Sequence, residues 1–159
     1  MKFNVNQQDL QQALSYCQGV IEKRSTLPIL SNVLLDAQNL QLTITATDLD
    51  LIFVHKIKNI EIVEEGKTTT TSSIMYDIVR KFTSGKKINL SLSNSSKLQL
   101  ESEKSIFNLN CISSSEFPLT DENFNDNEFS INSKSLLKLL NKCKFSVSND
   151  ETRHYLSGI

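Results

Sequence analysis

The chain has 159 residues, 38% hydrophobic and 22% charged, with 17 Lys and Arg against 18 Asp and Glu for a net charge of -1. That length suits one domain with a real core, and that composition excludes a disordered polymer. No apolar run approaches the roughly 18 residues that cross a bilayer, the N-terminus "MKFNVNQQDL" lacks a signal peptide's apolar stretch, and the three cysteines (Cys17, Cys111, Cys143) are odd in number and widely spaced, which fits a reducing, cytoplasmic setting.

In chain order, Phe3 and Val5 alternate as a half-buried strand does, and Leu10, Ala13, Leu14 and Cys17 then fall at the i, i+3, i+4, i+7 spacing of an amphipathic helix. Arg24 follows that helix in the loop "EKRSTLPIL". The stretch "SNVLLDAQNLQLTITATDLDLIFVHKI" alternates through hairpin strands, with a turn near Asp36 to Asn39. Asp48 and Asp50 sit beside a turn and read as capping or solvated groups rather than as an acid and a base.

"TTTTSSIMYDIVRKF" moves from a Thr-rich strand into a helix with Ile74, Ile78 and Phe82 on one stripe, Ser72 or Ser73 as cap, and Arg80 and Lys81 outward. A second hairpin fills "KKINLSLSNSSKLQLESEKSIFNLNCI", turning at "SNSSK". A strand, a helix and three strands therefore occur twice. Antiparallel sheets with the helices on one side, an α+β domain, satisfy that order.

"SSSEFPLTDENFND" has Pro118, little periodicity and several acids, so it connects two parts: a first domain over 1–120, a linker over 121–126, and a second domain that starts at 127. Beyond it the beginning of the chain returns. Phe129 repeats Phe3, Ile131 repeats Val5, Leu136 repeats Leu10, Leu140 repeats Leu14 and Cys143 repeats Cys17, each 126 positions later (129 − 3). The last 33 residues read as strand, then helix with Ser133 as N-cap, then the opening of a further strand at Leu156 to Ile159; the expectation is the front of a longer protein.

Charge is uneven. From Asn127 onward five basic residues (Lys134, Lys138, Lys142, Lys144, Arg153) face three acids, a balance of +2 that leaves -3 for the first 126 residues. Lys134, Lys138 and Lys142 form one helical stripe opposite Leu136, Leu139 and Leu140. On the first helix Gln8, Gln11, Gln12 and Ser15 offer uncharged donors instead. Cationic and amide-bearing helix faces fit a surface that meets phosphates, although a lysine stripe is also an ordinary solvated face.

Other chemistries find little support. His55, His154 and the cysteines lack metal-ligand spacing, and four glycines (Gly19, Gly66, Gly85, Gly158) build no phosphate loop. The competing reading is a thiol- or ligand-binding α+β domain using Cys111 or His55.

The motifs "MKFNV", "RSTLPILSNVLL", "LTITATDLDL", "SEFP" and "ETRHYLSGI", in this order and spacing, resemble the bacterial beta sliding clamps, the beta subunits of DNA polymerase III, over the whole chain. The resemblance implies the DNA-clamp fold, with sheets outside and helices on the inner face of a homodimeric ring. It implies no enzyme activity and no cofactor. The partners would be duplex DNA and, through short peptide motifs, the replicative polymerase, clamp loader and repair proteins. Carried to matching positions, DNA contacts would come from Arg24, Ser73, Arg80, Lys134, Lys138, Asp150, Arg153, His154 and Tyr155. At three of these the chain departs from the enterobacterial pattern: Ser73 stands for a basic residue, Asp150 for a glutamine and His154 for a tyrosine. Tyr155 and Leu156 resemble a wall of the client-peptide pocket, and Ile78, Phe107 and Leu109 resemble one side of the dimer interface.

Overall fold

A computed structural model describes residues 1–21, 27–93, 96–119, 129–148 and 150–159, the side chains of Glu151 and His154 excepted. Arg24, the tip of the "SNSSK" turn and the 121–126 linker lie outside the described residues. The chain divides into two units, Met1–Thr120 and Asp121–Ile159.

The first unit runs β1 (Lys2–Asn6), α1 (Gln7–Cys17), a 3₁₀ turn at Pro28–Ser31, β2 (Asn32–Gln38), β3 (Gln41–Thr47), β4 (Ile52–Lys58), β5 (Glu61–Glu64), β6 (Gly66–Thr71), α2 (Ser72–Val79), β7 (Lys87–Ser93), β8 (Lys97–Ser102) and β9 (Ser105–Ile112). The strands form one nine-stranded sheet ordered β4-β3-β2-β6-β9-β8-β7-β1-β5, antiparallel throughout. The strand, helix and three strands expected twice are β1-α1-β2-β3-β4 and β6-α2-β7-β8-β9. Each half lends its opening strand to the other: β6 pairs with β2, and β1 pairs with β7. Neither half completes its own sheet, so the two must fold together.

One face of this sheet is apolar because alternate residues point the same way. Leu35, Leu42, Ile44, Leu90, Leu98 and Leu100 are fully buried there, against Leu10, Ala13, Leu14 and Cys17 of α1 and Met75 and Val79 of α2. Burying each large aliphatic side chain contributes about 1.5–3 kcal/mol. α1 starts where it does because the Asn6 side chain accepts the Gln8 amide at 2.8 Å, capping a donor the helix cannot satisfy.

Four local expectations change. On α2 the buried positions are Ser72, Met75 and Val79, while Ile74 is 51% exposed and Ile78 and Phe82 pack only partly. The helix ends at Val79, so Phe82 approaches from the following turn, and the inward phase is set by Met75. The residue at the cap position is Thr71, and its hydroxyl donates instead to Asn32 Oδ1 at 3.2 Å; Ser72 Oγ accepts from Gln18 at 2.9 Å. The first hairpin turns at Asn39 and Leu40, both with positive φ (52° and 58°), in the primed-turn conformation that matches strand twist.

The fourth change is β5, which the alternation did not reveal. Its Val63 is 64% exposed and only Ile62 packs toward the core, so four residues carry almost no pattern. Polar contacts hold it at the sheet edge. The Met1 ammonium meets Glu64 at 3.0 Å, and Glu61 accepts from Asn4 at 3.0 Å and Lys87 at 3.4 Å.

The second unit contains α3 (Ser133–Cys143) followed by 3₁₀ turns at Lys144–Ser146 and Glu151–Leu156. Its cap is Asn132, not Ser133; Asn132 Oδ1 accepts from Lys134 and Ser135. Among the described residues this unit has no strand. Phe129 is 88% and Ile131 49% exposed where an alternating strand was expected, and residues 157–159 are also without ladder. β1 exists because β5 and β7 flank it, whereas 129–131 has no described counterpart to pair with.

Candidate nucleic-acid interface

α1 and α2 lie side by side. On the face of α1 opposite its leucines, Gln8, Gln11, Gln12 and Ser15 surround an open depression of about 410 Å³ with Tyr76 and Ser84. Gln8 donates to Ser84 Oγ at 2.7 Å and Gln12 to Tyr16 Oη at 3.0 Å. Beneath them the buried Gln7 amide ties the helices together, donating to the Val79 carbonyl at 2.9 Å and Gln11 at 2.7 Å. The helix carries one charge, Asp9. This face can hydrogen-bond water or phosphate but exerts little long-range attraction.

Ser73 is half-buried in the first turn of α2, and Arg80 closes the same helix roughly 10 Å further along its axis. Arg80 lies 5.8 Å over the Tyr76 ring and 3.3 Å from Asp77, so its cation is held at the helix end whose dipole favours it. Lys134, Lys138 and Lys142 form an exposed stripe on α3. The 126-residue shift places them over Gln8, Gln12 and Tyr16, so these positions are neutral on α1 and cationic on α3.

The loop from Asp150 is ordered by the Asp150 carboxylate. Its Oδ1 accepts from the Thr152 amide at 3.0 Å and hydroxyl at 2.6 Å, and its Oδ2 lies 3.3 Å from Arg153 Nε. The Thr152 hydroxyl and amide hold the carboxyl below its ordinary pKa. Tyr155 is 73% exposed, and Leu156 is 46% exposed with its carbonyl accepting the Ser148 amide at 3.0 Å. The structure thus groups Asp150 with Arg153, Ser73 with Arg80 on α2, and Lys134 with Lys138 on α3; Arg24 and the His154 side chain lie outside the described residues.

The expected interface residues separate. Phe107 is 38% exposed and meets Phe82 edge-on at 5.7 Å, and Ile78 is half-buried beside the core. Leu109 is only 8% exposed and packs into the core, whereas Ile106, which the sequence reading passed over, is 56% exposed. β9 pairs with β8 from Ser105 to Asn110 but with β6 only through Cys111 and Ile112. Most of β9 therefore presents a second edge with no ladder among the described residues.

The thiol reading loses its chemical basis. Burial pushes the Cys111 thiol above its ordinary pKa, the reverse of an activated nucleophile, and His55 stacks on Phe53 at 6.2 Å with Tyr16 at 6.1 Å. Among the described residues no cluster of three His, Cys, Asp or Glu could hold a metal, and no helix is long and apolar enough to cross a membrane.

Two interleaved strand-helix-three-strand halves, with both helices on one face of an antiparallel sheet, make a DNA-clamp domain. The model of the DNA polymerase III beta subunit N-terminal domain matches residues 1–121. A beta sliding clamp of Caulobacter vibrioides is 34% identical over the whole chain, and that of Escherichia coli K12 is 31% identical. The chain spans 43% of the length of these curated relatives. Among solved structures, the sliding clamp from Bartonella birtlesii bound to griselimycin superposes with TM-score 0.95 at 35% identity, covering all of this chain and 42% of that one. The Caulobacter crescentus polymerase III beta structure gives 0.92 at 34% identity, covering 99% and 42%. The chain belongs to the DNA polymerase III beta subunit family, the bacterial beta sliding clamps.

Proposed function

We propose that this chain forms the first arc of a cytoplasmic sliding clamp, a non-catalytic processivity factor that encircles duplex DNA and tethers the replicative polymerase to it. The observation that carries the reading is the superposition on a solved clamp at TM-score 0.95 over the whole chain. Residues 1–120 are the first domain and 127–159 open a second copy of it. The repeat supports this: α1 and α3 occupy positions 7–17 and 133–143, 126 residues apart at both ends, each behind an asparagine cap.

Sliding requires contacts that hold phosphates without reading bases and without strong grip. Amides on α1, the cation of Arg80, the lysines of α3 and the Asp150–Tyr155 loop suit that requirement. Arg24, Ser73, Arg80, Lys134, Lys138, Asp150, Arg153, His154 and Tyr155 are the proposed DNA-facing set. The exposed Tyr155 and Leu156 form one wall of the surface that receives peptide motifs of polymerase, clamp loader and repair proteins. The edge of β9 without a ladder among the described residues, with its exposed Ile106 and Phe107, is where a second copy closes the ring, with Ile78 of α2 as a further contact, because an open strand edge accepts another strand.

The test is topological. The complete protein, loaded on closed circular DNA, should stay bound through gel filtration and be lost once the circle is cut. Equal retention on circular and linear DNA would overturn encirclement.

A further inference from the structure

We propose that Asp150 is a built-in brake on DNA grip, holding the Arg153 guanidinium in an internal ion pair that phosphates must compete against. The inference rests on the reading of this loop as a DNA contact. Its basis is a division of labour within one carboxylate. Oδ1 builds the turn, accepting from the amide and hydroxyl of Thr152 at 3.0 and 2.6 Å, and the backbone closes it again through the Arg153 amide and the Asp150 carbonyl at 3.0 Å. An asparagine side-chain oxygen could still accept both Thr152 bonds, each weaker than to a carboxylate. The second oxygen, Oδ2, takes no part in the turn and faces Arg153 Nε at 3.3 Å. The negative charge strengthens the Thr152 bonds without being required to form them, and through Oδ2 it also meets the arginine.

Its placement supports the same conclusion. Between Phe129 and Ile159 five cations face two acids, Asp150 and Glu151, and both acids lie within three residues of the lone arginine of that stretch while the lysine helix has none. Arginine is the side chain able to fork onto a phosphate with two parallel bonds, the kind of grip that opposes sliding. Because the thiol-free, exposed loop leaves the pair in water, the brake is partial: it lowers affinity without abolishing the contact.

The experiment measures binding of the complete protein to a fluorescent linear duplex over a range of NaCl concentrations, for Asp150→Asn, Asp150→Gln, Arg153→Ala and the Asp150→Asn/Arg153→Ala pair. Removing one adjacent unit charge should tighten binding by about fivefold at low salt and steepen the log–log salt slope by up to about 0.9. Asp150→Gln must move in the same direction, and Arg153→Ala must weaken binding. In the Arg153→Ala background the gain from Asp150→Asn should fall below half. If both Asp150 variants bind as the parent or more weakly while Arg153→Ala still weakens binding, the brake is wrong and the loop contact stands. If no variant changes binding, the loop contact itself fails. A gain undiminished without Arg153 would mean that Asp150 repels DNA directly, and that also overturns the proposal.

Discussion

Asn6 and Asn132 perform one task 126 residues apart, each accepting the amide two positions on and fixing where a helix begins. Cys17 and Cys143 close those helices at matched positions, yet their surroundings differ: Cys17 is fully buried and Cys143 exposed. Burial disfavours the thiolate of Cys17 and pushes its pKa from 9.0 to about 12. A thiol raised on folding stabilises the fold while protonated, so its contribution is whole below pH 9.0 and declines as pH rises toward about 12. The urea midpoint should fall across that window, and Cys17→Ala should fall less steeply over it while starting from a lower value. A parallel decline in both proteins would show that other groups govern alkaline unfolding. The same burial predicts that alkylating reagents reach Cys17 only as fast as the first unit opens.

At the scale of elements, what could be read in advance was whatever repeats with a period. Phe3 and Val5, then Leu10, Ala13, Leu14 and Cys17, announce β1 and α1 because every second or every third to fourth side chain is drawn to one core. β5 has one packing residue and no period; its place is set by Asn4, Lys87 and the Met1 ammonium, which are distant in sequence. Met75 was missed for a different reason: Ile74 and Ile78 have the stronger apolar signal, but tertiary packing chose the neighbouring stripe. In the candidate interface the cations were legible as residue types, whereas the Asp150–Arg153 pair and the second edge of β9 depend on turn geometry and strand length that no spacing encodes. The hairpin of β2 and β3 carries a local conflict of its own. Leu40 occupies a left-handed position at φ 58° while 65% exposed, so it bears the steric cost without a burial gain. Leu40→Gly gives the Asn-Gly turn that this geometry favours and should raise stability by about 0.5–1 kcal/mol, visible as a higher urea midpoint with unchanged slope. A lower midpoint would mean that the Leu40 side chain contributes packing that outweighs the relief.

For the molecule as a whole, the interleaving of halves and the repeat across 126 residues separate two properties that the proposed sliding would combine. The exchange of β1 and β6 between halves ties both halves into one sheet, which carries α1 and α2 together. A shared sheet alone supplies no attraction, and on α1 the outward positions 8, 12 and 16 carry amides and a phenol. Lys134, Lys138 and Lys142, 126 positions later, supply charge on α3. If that stripe faces phosphates, replacing all three lysines by glutamine makes α3 resemble α1 and removes attraction without touching Leu136, Leu139 or Leu140. The expected result is weaker binding of linear duplex and a salt dependence flattened by up to about 0.9 in log–log slope for each lysine that had displaced a counterion. This is the opposite sign from the Asp150→Asn variant, so the two changes together bracket the electrostatic contribution. Retention on closed circles at moderate salt should survive the triple change, because a topological link does not depend on charge. A triple variant with an unaltered salt slope would remove α3 from the DNA-facing surface, and one lost from circles as readily as from linear DNA would show that attraction, not encirclement, had held the protein in place.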